Sequence, residues 1–352
     1  MAVSSLPAET SRRITIARAI LLAGVVYDHA QKGIIFHGQA TPVVSVVMDL
    51  LDNYIIRPTV PLFYTISAYL LFLRYGGIAG YPRLVVKRFR GLLLPSILLN
   101  LFWAGYILLI GSIPGIGGPT WVKSQGIATL LFGGLNGLPL IYPLWFLRTL
   151  FWCVLLTPVF AFLLRRAAWL TLAVLWLCYG FIPPGATSVD TMAPFFFYIG
   201  GFLAVKRVDV DGFTRFLWPA TALWGLFIAG DILVKTLLSA TNYWHVVLWY
   251  NSTVFGIAAV WMFFCKARLG ADNRASRLLL AFAPFAFLVY LLHEPAISFL
   301  TAATGWMLGP GSISQMAYTV FLAAATIALT MLVAWLLKRF VPPVHRVLNG
   351  GR

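Results

Sequence analysis

The chain has 352 residues, of which 61% are hydrophobic and only 10% charged. A soluble domain carries roughly a quarter of its residues as charges, so this chain cannot cover a soluble surface, and a polytopic membrane protein is expected. The net charge of +16, from 26 Lys+Arg against 10 Asp+Glu, admits a nucleic-acid reading when taken alone. The apolar background makes a membrane explanation the better one, and no nucleic-acid partner is expected.

A helix needs roughly 20 apolar residues to cross the bilayer core. Ten stretches qualify in chain order: 14–36, 55–73, 91–111, 138–164, 167–182, 192–205, 216–238, 243–265, 278–300 and 313–337. The fifth and sixth are short, so the count is nine if one of them does not cross. Residues 43–51 are apolar but too short to span, and a surface helix is expected there. The Gly/Pro-rich stretch 111–118 reads as a loop. No soluble domain, internal repeat or cleavable signal peptide is evident. The expectation is therefore an all-α helix bundle occupying 1–352 as a single membrane-embedded domain. Cys153, Cys178 and Cys265 lie in apolar stretches without metal or redox spacing, and read as reduced, buried residues.

The charges alternate with the spans. Arg12 and Arg13 precede the first. Arg74, Arg83, Lys87, Arg88 and Arg90 fill the second connection, Arg165 and Arg166 the fourth, and Lys206, Arg207 and Arg215 the sixth. Lys266, Arg268, Arg274 and Arg277 fill the eighth, and Lys338, Arg339, Arg346 and Arg352 follow the last. That places 20 of the 26 basic residues on one side, with Lys123 an exception. By the positive-inside rule both termini are cytoplasmic.

A charge in the bilayer core costs about 3 kcal/mol or more, so those that persist are functional candidates. They are Arg18, Asp28, His29, Arg148, Asp231, Lys235, His293 and Glu294. At about 1.5 Å per residue, Arg18 lies ~6 Å into the first span and His29 ~22 Å. His293, Glu294 and Asp231 fall at depths comparable to His29, and Arg148 nearer the midplane. A polar layer in the outer half is expected. Arg18 and His29 are 11 residues apart, within ~20° of one helix face. Arg83, Lys87 and Arg90 share a face at the cytoplasmic start of the third span, a cluster suited to a diphosphate. Tyr243, Trp244, Trp249 and Tyr250 read as an interfacial belt, and His37 and His245 as loop or interface residues. No metal is expected, because no His/Asp/Glu set of ligand spacing occurs beyond this layer.

These stretches resemble the acyltransferase 3 family of integral membrane acyltransferases. Ala17-Arg18-Ala19-Ile20 through Tyr27-Asp28-His29 is similar to the family's first span, with its Arg and His at this spacing. Val60-Pro61-Leu62-Phe63 through Ser67-Ala68-Tyr69-Leu70 is similar to the second, with Ala68 where Gly is usual. Lys87-Arg88-Phe89-Arg90 resembles the Arg-x-x-Arg motif with Lys at its first position, which weakens bidentate phosphate binding. Pro143-Leu144-Trp145-Phe146-Leu147 and Tyr290-Leu291-Leu292-His293 resemble two further signatures. The resemblance covers essentially the whole chain. It implies ten spans in a bacterial inner (plasma) membrane. It also implies transfer of an acyl group, usually acetyl, from cytoplasmic acetyl-CoA or another acyl-CoA to a hydroxyl of an extracytoplasmic glycan, without a fused esterase-like domain.

On that resemblance His29 is the expected general base. Asp28 belongs to the same catalytic set but lies ~100° away on the helix and need not touch the His29 ring; His293 or Glu294 would orient it or supply a second proton path, and Arg148 would stabilise an oxyanion or pair with a carboxylate. Arg18, Arg83, Lys87, Arg88 and Arg90 would hold the CoA phosphates. Ser67 would line the path of the pantetheine arm between spans one, two and three. The competing class is a secondary transporter or flippase for a lipid-linked glycan. Acetyl and succinyl donors are not separated by the residues.

Overall fold

In the computed structural model the described residues are 6–36, 41–111, 126, 129, 131, 138–183, 191–239, 242–269, 273–308 and 311–351. The expected loop 112–118, His37, Lys123 and Arg352 lie outside them. Every regular element among the described residues is helical, as the composition requires.

The chain begins with α1 (Ala8–Phe36). Next, α2 (Pro42–Leu50) runs through one turn of π-helix, Leu51–Ile56, into α3 (Thr59–Phe72). Likewise α4 (Tyr81–Arg88) runs through the π turn Phe89–Leu93 into α5 (Leu94–Gly111). A 3-10 turn, Tyr142–Leu144, leads into α6 (Trp145–Leu155), followed by α7 (Thr157–Arg166), α8 (Ala168–Phe181) and α9 (Met192–Val205). The remaining helices are α10 (Leu217–Leu237), α11 (Tyr243–Lys266), α12 (Arg274–Phe282), α13 (Ala286–Thr304), α14 (Ser312–Phe340) and α15 (Pro342–Leu348).

Among the described residues six helical segments are long and apolar enough to cross a membrane: Pro42–Phe72, Ile78–Leu109, Gly212–Leu237, Tyr243–Lys266, Ala286–Met307 and Ser312–Phe340. The bent pair Tyr142–Leu155 and Thr157–Arg166 makes a seventh. Three expected spans fall outside that set. α8 and α9 have 14 residues each. α1 has 29, but Arg18, Asp28, His29 and Lys32 dilute its apolar character.

Several boundaries need correction. The 43–51 helix is not a separate surface element: it is the first part of the 31-residue segment Pro42–Phe72. The 138–164 span bends by 55° between Leu155 and Thr157, because Pro158 has no N–H to continue the hydrogen-bond ladder. The 278–300 span breaks between Phe282 and Ala286, where Pro284 acts in the same way.

α1 is the hub. Ile14, Ala17 and Leu21 join the larger core with residues of α3, α6 and α9. Leu22, Val26 and Ala30 join a second core with Val44, Met48, Val289 and Leu322. A helix buried this far round has no broad face left for lipid. α9 packs closely along α3, and Gly200 permits the approach: a Cβ there would stand 2.1 Å from the Thr65 carbonyl oxygen. Gly200→Ala is therefore expected to cost about 1–3 kcal/mol of stability through overpacking, read as a lower Tm in detergent. Gly105→Ala in α5, where a Cβ meets nothing within 4 Å, is the control, with a change within about 0.5 kcal/mol.

Candidate active site

One face of α1 lines a cavity of about 340 Å³. Thr15, Arg18, Leu22, Val25, His29 and Lys32 contribute to it. Their spacing of three and four residues is that of a single helix stripe. From Thr15 to Lys32 the stripe runs ~26 Å along the axis. Arg18 is exposed within the cavity, and Arg88 from the end of α4 joins it there. Ser67 of α3 lines the middle.

At the other end sits a polar cluster. The His29 Nδ1 lies 3.0 Å from Glu294 Oε2. A carboxylate opposite Nδ1 fixes the tautomer: Nδ1–H donates to Glu294 and Nε2 keeps its lone pair. Tyr142 stacks on the ring at 5.1 Å and 23°, holding it from one face. His293 packs at 4.9 Å from His29. Its own Nδ1 is 2.6 Å from the Tyr290 carbonyl oxygen, so it donates there and its buried Nε2 has no partner. The Tyr290 hydroxyl donates to the Pro143 carbonyl, pinning the turn that carries Tyr142. Asp28 accepts from Lys32 Nζ at 2.7 Å, and Lys32 also lies 3.6 Å from Asp52. Asp28 Oδ2 stands 3.9 Å from His29 Nε2, too far for a hydrogen bond.

The structure thus brings Asp28, His29, His293 and Glu294 together. Arg18, Arg88 and Ser67 line the same cavity. Arg83, Lys87 and Arg90 are exposed and do not line it. Arg148 is half-buried in α6 and is also absent from the lining. Asp231 does not join the layer. It is fully buried and bonded to the Tyr54 hydroxyl at 2.7 Å and to His245 Nδ1 at 2.6 Å. His245 is accordingly a helix residue with a buried partner rather than a loop residue. Lys235 pairs with Asp49 at 3.0 Å. Trp249 and Tyr250 both pack against the Arg57 guanidinium. Tyr243 and Trp244 are exposed.

Sequence reasoning missed Lys32, Asp52, Arg57 and Tyr142. Lys32 had a readable signal, since it stands four residues after Asp28, where a helix pairs opposite charges. His29, His293 and Glu294 also bring one ligand atom each within 4.8 Å of the others, a set of donors able to hold a divalent cation. The direct His29–Glu294 bond pairs two of the three, and His293 Nε2 is left without a hydrogen-bond partner.

A family model described as an acyltransferase domain (Acyl_transf_3) matches residues 12–336. The chain is also similar to the succinoglycan biosynthesis protein ExoH of Rhizobium meliloti (strain 1021). The two are 26% identical over 363 residues, covering 98% of this chain and 93% of that protein. No solved structure matches the chain.

The cluster generates a stability prediction. Asp28 and Lys32 are 11% and 31% exposed in their side chains, so each depends on the other for its counter-charge. Asp28→Asn and Lys32→Met are expected to show a coupling of about 0.5–1 kcal/mol in a double-mutant cycle of unfolding. Strictly additive losses would contradict the pairing.

Proposed function

The chain belongs to this acyltransferase family, and on that premise we propose that it is a membrane O-acyltransferase using cytoplasmic acyl-CoA. The acceptor is a hydroxyl of an extracytoplasmic polysaccharide or its lipid-linked precursor. Acetyl is the simplest candidate for the acyl group. The observation that carries the reading is the single cavity along α1, with Arg18 and Arg88 at one end and the His29–Glu294 pair at the other. The ~16 Å between Arg18 and His29 along the helix is of the order of a pantetheine arm. In this reading all ten spans cross, α1, α8 and α9 included, and both termini are cytoplasmic, as the one-sided basic residues favour.

The reaction follows from the tautomer. As the sugar hydroxyl oxygen attacks the thioester carbonyl, its proton passes to His29 Nε2. The carbonyl π electrons move to oxygen and return as the carbon–sulfur bond breaks. The CoA thiolate leaves and takes the proton back from His29. Glu294 holds the ring in this tautomer and stabilises the imidazolium formed on the way, the role a carboxylate plays in catalytic triads. His293 packs behind His29 and positions it. Arg18 and Arg88 hold the CoA phosphates. The exposed Arg83, Lys87 and Arg90 draw the polyanionic donor to the cavity mouth. The polysaccharide acceptor is supported by the likeness to ExoH, a succinoglycan biosynthesis protein.

The test uses the purified protein in nanodiscs with labelled acetyl-CoA, reading donor binding and release of free CoA thiol to water as a surrogate acceptor. His29→Ala is expected to lower thiol release by about 10²–10⁴-fold with donor affinity unchanged. Arg18→Ala and Arg88→Ala should instead weaken binding by about tenfold or more, as loss of a charge-assisted phosphate contact does. Full activity in His29→Ala, or undiminished donor binding in both arginine variants, would overturn the reading.

A further inference from the structure

Arg57 is a cation that the mechanism above does not use. It stands between the π turn Leu51–Ile56 and α3, and it lines the same cavity as His29. Its guanidinium carbon sits 3.3 Å from the centre of the Trp249 ring and 5.3 Å from that of Tyr250. Its Nε–H donates to Thr253 Oγ1 at 3.1 Å. Among the described residues it forms no ion pair with a carboxylate. Its nearest acidic neighbour along the chain, Asp52, lies 3.6 Å from Lys32.

That arrangement is unlike a structural ion pair. Two other cations of the bundle do have carboxylates: Lys32 has Asp28 and Asp52, and Lys235 has Asp49. Arg57 is instead held by an aromatic face and the hydroxyls of Thr253 and Tyr179, with Asp52 near but not within ion-pair distance, which fixes the plane of the guanidinium without a direct carboxylate partner. With Nε committed to Thr253 and the Tyr179 hydroxyl also beside the guanidinium, the remaining N–H donors can still make a charge-assisted bond to a carboxylate. The acids beside it argue against a more highly charged ligand. Asp28 and Asp52 line the same cavity and would repel a dianionic phosphate, whereas a monoanion needs only one cation.

We propose that Arg57 is the receptor for a carboxylate carried by the substrate, placed beside the His29 centre. The proposal rests on the acyltransferase reading for its placement next to the transferred group. The carboxylate has two sources within that reading: the distal end of a dicarboxylic acyl group on the donor, or an acidic sugar of the acceptor. Either way, Arg57 selects charged over neutral substrates, and it acts apart from Arg18 and Arg88.

The experiment measures binding to the full chain in nanodiscs with two pairs of probes. Succinyl-CoA against acetyl-CoA tests the donor source. Methyl glucuronide against methyl glucoside tests the acceptor source. The wild type is expected to favour the acid by about tenfold or more in one pair, and the pair in which it does so names the source. Arg57→Gln should abolish that preference while acetyl-CoA binding stays unchanged, which also shows that the variant is folded. Arg57→Lys should keep part of it, since a point charge replaces a fork. No preference in either pair for the wild type, or a preference that survives Arg57→Gln, would overturn the proposal. Loss of all acyl-CoA binding with a retained glucuronide preference would sink the acyltransferase reading and leave the carboxylate site standing.

Discussion

The organising constraint is the polar stripe on α1. Arg18, Asp28, His29 and Lys32 lie on a helix whose middle, residues 16–26, is otherwise Ile, Leu, Val, Ala and one Gly. Hydrocarbon cannot solvate such groups, so they must face other protein groups or a water-accessible cavity. The bundle answers by surrounding the helix. α3, α13 and α14 pack on it, and its two apolar faces nucleate two separate cores. The polar stripe is left to line the cavity. Most of the site follows from that enclosure: Glu294 reaches His29 because α13 packs on α1, and Tyr142 covers the ring because Tyr290 pins its turn.

The enclosure also explains why the site has two ends of different character. Near Arg18 the cavity gathers exposed or half-buried cations, and the rim beyond carries more of them. Near His29 the charges are paired and largely buried, with Arg57 the exception. A group held in a low-dielectric, fixed setting acts without reorganising. A cationic mouth, by contrast, draws in polyanions from a distance. In the proposed function one cavity thus joins a capture region to a site of chemistry.

Much of this was legible in the sequence. The charge deficit demanded a helical membrane protein, and the 11-residue spacing of Arg18 and His29 placed both on one stripe. His293 and Glu294 stood out as ionisable residues in an apolar run. What the sequence hid lies at interruptions of the 3.6-residue period. The π turn at Phe89–Leu93 interrupts the helical register after Arg88, so the face shared by Arg83, Lys87 and Arg90 was not the one that meets the cavity, which Arg88 of the same basic cluster lines. The π turn at Leu51–Ile56 joins two stretches that read as separate, and it carries Asp52 and Arg57 inward from what looked like a span boundary. The breaks at Pro158 and Pro284 end helices that the apolar runs made continuous. Asp231 shared a depth with His29 but not a neighbour, because depth along a span does not say which helices touch.

The central claim is that a donor captured at Arg18 and Arg88 delivers its acyl group along α1 to His29. The most direct measurement is an electron cryo-microscopy map of the chain in nanodiscs with a non-hydrolysable acyl-CoA thioether. The account predicts nucleotide density against Arg18 and Arg88, with the pantetheine arm along the Thr15–Lys32 stripe and the acyl end beside His29 Nε2. Nucleotide density confined to the exposed Arg83, Lys87 and Arg90 face, with none in the cavity, would contradict it.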